Sequence, residues 1–295
     1  MLFKLNERID TMSKTGLIVE GGANRVYFAV GAMDVLMENN IKADYITGSS
    51  AGIANAANYA SGQIGRGLEI ALNHVPSKKY LGFRHFVNPK NRSLYNIDYV
   101  FRELPETVVP YDYDAFERFE GELEAAVTNV ATGKPEYLKV TSMDKNWTVL
   151  LASCSLPIMF PSVKIDGKTY LDGGITDSIP YMHAIEKGCD KIIVILSRER
   201  SYVKKPGGGT KAACFLYRKY PEFVNALENR YIMYNEQRKK LFELEAEGKA
   251  IIIEPESTEG WKRTENRREV LQQMYDKGVD AAKNKLGEIK EYLAK

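Results

Sequence analysis

One five-residue stretch, Gly48-Ser49-Ser50-Ala51-Gly52, restricts the folding of this chain more than any other. It follows "ADYITG", which reads as a short strand, and leads into "IANAANYASG", whose small residues read as a helix. Gly-x-Ser-x-Gly between a strand and a helix describes a strained turn that presents its central serine at the helix N-terminus. The glycines Gly48 and Gly52 are required because side chains there would collide with the adjoining strand and helix. Free N–H groups and the helix dipole favour negative charge at that point. Ser50 therefore reads as a nucleophile; the competing reading is that Ser49 or Ser50 simply caps the helix.

The turn sits in a regular alternation. "GLIVEGG" reads as a strand ended by glycines, and "RVYFAVGAMDVLMENN" as a helix with Val30, Met33 and Met37 on one face. Strand–helix–strand–helix predicts an α/β fold, a mostly parallel sheet covered by helices on both faces. Further strands are expected at "EAAVTNVAT", "EYLKVTS" and "KIIVILSRE", the last apolar enough to be buried on both sides. A long charged helix is expected from about Pro221 to Glu247, with Leu227, Tyr231, Tyr234, Leu241 and Leu244 in its stripe. "KAIIIEP" then predicts one more strand, and an amphipathic helix closes the chain. The expected division is a catalytic unit over 14–200 and a C-terminal extension over 201–295 packed on the same domain. Ser77 to Pro110 is irregular and aromatic-rich, either a lid over a site or a helical insertion.

Composition narrows the function classes. Apolar residues make up 44%, enough for a sizeable core, and 41 basic residues nearly balance 39 acidic ones. That balance argues against a nucleic-acid partner. Cys154, Cys189 and Cys214 have no metal-like spacing and read as free thiols of a reducing compartment. No metal and no cofactor are expected. The N-terminus lacks an apolar core of the secretory kind. A cytoplasmic location is the expectation, and the acceptor patterns at Asn91 and Asn146 are discounted with it.

A serine nucleophile needs a base and donors for the oxyanion. The histidines are His74, His85 and His183. His183, in "DSIPYMHAIEKG", reads as solvent-facing on a helix; a triad of Ser50, Asp172 and His183 can be written in hydrolase order, although the spacing of the last two is unfavourable. Two other motifs point elsewhere. Upstream is "VEGGANRVYFAVG", a Gly-Gly-x-x-Arg turn; downstream is "YLDGGITDSIP", with Asp172 before Gly173 and Gly174. Together with the serine turn, and with "ASCSLPIMFPSVKIDGKTYLDGGITDSIP", they resemble the patatin-like phospholipase family; "ILSRERSYVKKP" and the C-terminal strand-and-helix region look like a bacterial cytosolic branch of it. The resemblance runs from about Gly16 to Ser197.

The resemblance implies a three-layer α/β/α domain that hydrolyses lipid acyl esters with a Ser–Asp dyad. Carried over, Ser50 is the nucleophile and Asp172 the base. The oxyanion hole falls on the N–H groups of Gly21, Gly22 and Ala23, joined by that of Ala51, with Arg25 ordering the loop. The family's run of three glycines followed by x-Arg/Lys-Gly is altered at two places, Ala23 and Val26. These replacements keep open a second class, a degenerate fold that binds acyl groups or a protein without turnover. The expected partner is a lipid or other acyl ester. "KKPGGGTKAACFLYRKY" mixes Lys204, Lys205, Lys211, Arg218 and Lys219 with Phe215, Leu216 and Tyr217. It reads as a solvated loop entering a helix, or as a peripheral contact with an anionic membrane.

Overall fold

Leu17, Ile18 and Val19 are all fully buried and belong to cores on opposite faces of one central strand, β1 (Thr15–Val19). This alternation organises the fold in the computed structural model, which describes residues 13–89 and 91–295. The N-terminal segment, read above for a secretory signal, lies up to residue 12 outside the described residues. β1 pairs in parallel with β2 (Tyr45–Ser49) and with β7 (Lys191–Ile195); β2 pairs in parallel with β3 (Glu122–Asn129), and β7 with β8 (Ile251–Ile253). Three antiparallel strands, β4 (Pro135–Lys139), β5 (Val163–Ile165) and β6 (Lys168–Asp172), complete an eight-stranded sheet on the β3 side.

Register at β3 positions the site. β4 covers one edge of β3 along residues 124–128, so β2 and β6 must share the other edge. β2 ends where Ser49 faces Ala126, and β6 takes over where Asp172 faces Val127. Two segments far apart in sequence therefore end against each other, bringing Ser50 beside Asp172.

Helices close both faces. α1 (Tyr27–Glu38), α2 (Ala51–Ala60) and α3 (Arg66–Asn73) lie on the face of Leu17 and Val19. The short helices α4 (Phe83–Phe86) and α5 (Tyr113–Glu117) follow, with α6 (Thr148–Cys154) packed on β3 and β6. α7 (Tyr181–Glu186) lies on the opposite face, and α8 (Thr210–Leu216) precedes the 26-residue α9 (Pro221–Ala246), whose Tyr234 and Leu241 join the core around Ile18. The closing helix α10 (Arg268–Ala294) packs along α1; a Cβ on Gly278 would stand 1.9 Å from the Phe28 carbonyl oxygen, so the two backbones are in direct contact. β8 and α10 thus belong to the same sheet and core as the N-terminal strands. Among the described residues no helix is long and apolar enough to cross a membrane.

The region 77–110 is a helical insertion. It contains α4, a one-residue bridge between Leu81 and Tyr95, and a wide-turned π-helical segment, Tyr99–Val108, with Pro105 inside it. Buried Asn91 holds the loop: its Nδ2 donates to the carbonyls of His85, Ser93 and Tyr95, and its Oδ1 accepts from the Ile97 N–H. A side chain so occupied is unavailable to a glycan.

Candidate active site

Ser50 occupies the step from β2 to α2 with φ 53° and ψ −137°, a conformation that non-glycine residues rarely adopt. Such strain costs on the order of 1–3 kcal/mol and persists only where the surroundings enforce it. Here they do. A Cβ on Gly48 would stand 2.3 Å from the Val19 carbonyl oxygen, and one on Gly52 would stand 2.4 Å from the same atom. β1 and the elbow therefore touch backbone to backbone. From α6, the Ser153 hydroxyl accepts from the Ser50 N–H (2.9 Å) and donates to the Ala126 carbonyl (2.7 Å). Ser49 points the other way and donates to the Ser178 carbonyl at 2.9 Å. Neither serine side chain caps α2.

Asp172 is 1% exposed. Its Oδ1 accepts from the Gly174 N–H at 2.8 Å, its own N–H donates to the Ser155 carbonyl at 2.9 Å, and its carbonyl accepts from the Thr128 hydroxyl at 2.8 Å. Oδ2 is left without a hydrogen-bond partner. Burial raises the pKa of this carboxyl; the neighbouring Arg230 charge and the Ser50 hydroxyl offset part of that rise. The Ser50 hydroxyl is thus a neighbour of the carboxylate without yet meeting hydrogen-bond geometry at Oδ2. A loose contact of this kind is common before substrate binds.

The glycine turn lies alongside. A Cβ on Gly21 would approach the Ser49 carbonyl oxygen to 2.6 Å and the Ser50 Cβ to 2.8 Å. Among the described residues the N–H groups of Gly21, Gly22, Ala23 and Ala51 find no protein acceptor. Ala23 has φ 49°, so the alanine stands where glycine would be unstrained. Ala23→Gly is expected to raise stability by up to about 1 kcal/mol, the left-handed penalty being partly offset by the entropy of an added glycine; a chemical denaturation midpoint measures it. Val26 is buried in the wall of an apolar cavity beside the turn. Arg25 is buried beneath the turn, and its Nε has no partner.

Two cavities meet at Ser50. One is apolar and runs between α2 and the insertion, which contributes Tyr80, Tyr95, Phe101 and Leu104. The other is polar and holds Asp172 with the glycine turn. Ala23, Ser50 and Leu156 line both.

The histidines are occupied elsewhere. His183 is not solvent-facing: its ring stacks on Tyr137 at 3.5 Å between centroids, and its Nε2 meets Glu124 Oε2 at 3.1 Å. It touches neither Ser50 nor Asp172, so the written triad does not assemble; α7 packs on the β1–β2–β7 part of the sheet and carries the ring to Glu124. His74 meets the Tyr99 hydroxyl, and His85 the Lys78 carbonyl. Cys154, Cys189 and Cys214 are free thiols. Lys204 also departs from its expected place in a solvated loop. It is half-buried, with Nζ 3.9 Å from the Tyr234 ring centroid, whereas Phe215 and Leu216 of the same tract are exposed.

Sequence reading missed Ser153, Thr128 and Arg230. Ser153 lies within the quoted "ASCSLP" run. Arg230 falls three residues after Leu227 and four before Tyr234, so it is a cation inside an apolar helical stripe; that misfit was the available signal.

Residues 17–185 match the family described as patatin-like phospholipase, and residues 220–294 match one described as a domain of unknown function. YjjU of Escherichia coli K12 is 27% identical over 196 residues, covering 62% of this chain and 51% of YjjU. Lysophospholipase nte1 of Aspergillus terreus is 28% identical over 187 residues, covering 61% of this chain and 12% of nte1. The chain thus spans about half the length of the first relative and a small part of the second. Among solved structures, VipD of Legionella pneumophila aligns over 92% of this chain and 67% of its own, at 13% identity and TM-score 0.44. The family match takes in more than half of the chain, from the first strand through the serine elbow to Asp172, and the chain belongs to the patatin-like phospholipase family.

Proposed function

We propose that the protein is a lipid acyl hydrolase that forms a covalent acyl-enzyme on Ser50, with Asp172 as the base. The observation that carries this reading is the strained Ser50 elbow standing where an apolar cavity meets a polar one that holds a buried carboxylate. The acyl chain enters the apolar cavity and its carbonyl reaches Ser50. Asp172 takes the hydroxyl proton as Oγ bonds to the carbonyl carbon, and the oxyanion turns to the N–H groups of Gly21, Gly22, Ala23 and Ala51. The C–O bond of the ester breaks, and the alcohol leaves with the proton from Asp172. Water then gives a proton to Asp172 and attacks the acyl-enzyme; Ser50 regains its proton as the acid departs. Each oxyanion donor of this kind contributes about 2.7–4 kcal/mol to the transition state. Ala23 retains its N–H, so the altered glycine run keeps its donors. A raised pKa suits Asp172 to this work, because a more basic carboxylate is a better acceptor for a hydroxyl proton.

Acyl-chain dependence tests this reading. Ala54 of α2 lines the apolar cavity. Rates on soluble esters should rise from short to long acyl chains, at about 0.8 kcal/mol or less per buried methylene. Ala54→Phe should remove most of that rise while leaving short-chain esters within a few-fold. No ester hydrolysis at any chain length would overturn the reading.

A further inference from the structure

The polar cavity contains more positive charge than ester hydrolysis requires. Five cations border it: Arg25, Arg198, Lys204, Arg230 and Arg263. The carboxylates on its wall are Glu20 and Asp172. Both oxygens of Glu20 are engaged elsewhere, Oε2 by the Ser197 N–H and Oε1 by the Tyr234 hydroxyl, each at 2.7 Å. Among the described residues none of the five cations forms an ion pair within 4 Å. Arg25 is only 6% exposed and its Nε has no partner; the buried Nε of Arg198 has none either, while its Nη1 donates to the Thr258 hydroxyl. Arg230 spends its Nε on the Gly174 carbonyl at 2.6 Å, which fixes the guanidinium beside Asp172. Lys204 is held at its backbone by Asn235, through an N–H to Oδ1 bond of 2.9 Å and a return bond from Nδ2 of 3.0 Å.

Such a convergence of cations is costly. Burial and mutual repulsion pull Lys204 down to about 7, with Arg230, Arg263 and Arg25 adding to the fall and Glu20 opposing it. Arg25 is pulled down to about 10 by burial, Arg198 and Arg263. Structural cations are ordinarily paired, since an uncompensated buried charge destabilises a fold. Four guanidinium groups and an ammonium facing one cavity match a dianion with several acceptor oxygens better than a single carboxylate.

We propose that this cavity is a phosphate-recognition site, formed chiefly by Arg198, Lys204, Arg230 and Arg263, that takes a phosphate group immediately beside Ser50. It rests on the Ser50 reading for its place in the substrate, and not for its existence. Through Ala23, Ser50 and Leu156 the site opens onto the apolar cavity. An amphiphile whose phosphate lies a few bonds from its acyl ester would fill both cavities, with the ester at Ser50. The same chemistry is offered by free phosphate, which would occupy the site as a separate ligand.

The test is calorimetric titration of inorganic phosphate into the full chain and into its Ser50→Ala form, which reads binding without turnover. Both should bind, and Lys204→Met and Arg263→Gln should each weaken binding about tenfold or more, the usual worth of a hydrogen bond to a charged group. Lys204→Met removes repulsion rather than packing, and Arg263 is exposed, so neither substitution threatens the fold. A second arm compares lysophosphatidate with the monoacylglycerol of the same chain. Preference for the phosphate ester, lost in Lys204→Met, assigns the site to the substrate headgroup. Phosphate binding with equal rates on the two esters assigns it to free phosphate. Absence of phosphate binding in protein that hydrolyses the neutral ester overturns the proposal, as does binding that both substitutions leave unchanged. Phosphate binding without hydrolysis of either ester would instead count against the Ser50 reading and leave the site standing.

Discussion

Ser50→Ala should lower hydrolysis of any accepted ester by at least about a thousandfold, the scale on which single members of nucleophile–base sets act. Folding should survive. The substituted residue keeps the same strained φ, and the Ser50 N–H still donates to Ser153, so the tether of the elbow to α6 remains. The hydroxyl stabilises little else: its neighbours are the Asp172 carboxylate and the Cys154 thiol, and burial already pushes that thiol far up. Initial rates on a long-chain ester, with a thermal melt on the same samples, separate loss of chemistry from loss of fold. A residual rate within tenfold of wild type would remove Ser50 from the mechanism.

Asp172→Asn should be equally damaging to activity and should act on stability in the opposite direction. Asparagine can still accept from the Gly174 N–H through its oxygen, so the local turn persists. What disappears is a buried charge whose folded-state pKa lies above its ordinary value of about 3.9. The sign follows from linkage. A carboxyl with a raised folded pKa binds its proton more tightly in the folded state, so its stabilising contribution is present at low pH and is lost as pH rises through the folded value. Wild type should therefore lose stability relative to the variant as pH rises above the ordinary aspartate range. Denaturation midpoints of both proteins at pH 5 and pH 8 measure this, and the gap in favour of Asp172→Asn should be wider at pH 8. The wild-type rate should fall on the acid side, also above the ordinary aspartate range, because only the ionised carboxylate accepts the Ser50 proton. A gap that narrows toward pH 8 would mean that Arg230 outweighs burial at this site.

What was legible in the sequence and what was not divides along the range of the interactions. The elbow could be read because its signature is compact: Gly48 and Gly52 are glycines because the Val19 carbonyl of β1 presses against both, and that requirement is written in five consecutive residues. β1, β2, β7 and β8 were legible for the same reason, as short apolar runs with turn residues at their ends. The hairpin of β5 and β6 also carried a signal, Asp166-Gly167, both at positive φ in the structure, and it is this hairpin that delivers Asp172. Asp172 itself was reachable only through resemblance, since nothing local says that β6 will take the edge of β3 that β2 vacates.

The walls of the site depend on still longer contacts. The insertion 77–110 has no regular period because it is held by the hydrogen bonds of Asn91 and contains Pro105 within a wide-turned helix. Its aromatic residues gain a purpose only when α2 lies opposite them. The basic cavity is assembled from the end of β1, the loop after β7, the tract before α8, one turn of α9 and the loop before α10. In a chain with 41 basic residues, the few that converge cannot be told from those that face water. Arg230 is the exception, as a cation in an apolar stripe. His183 shows the opposite error: a histidine on a short helix was expected to face solvent, and Tyr137 and Glu124 from two other strands enclose it instead.

The central claim is that Ser50 is an activated nucleophile, and the most direct measurement is labelling of the native protein with a fluorophosphonate probe followed by peptide mapping by mass spectrometry. The account predicts one adduct, on the peptide that contains Ser50, absent in Ser50→Ala and strongly slowed in Asp172→Asn. Ester hydrolysis by a protein whose Ser50 stays unlabelled, or an adduct on Ser49 or Ser153 in its place, would contradict it.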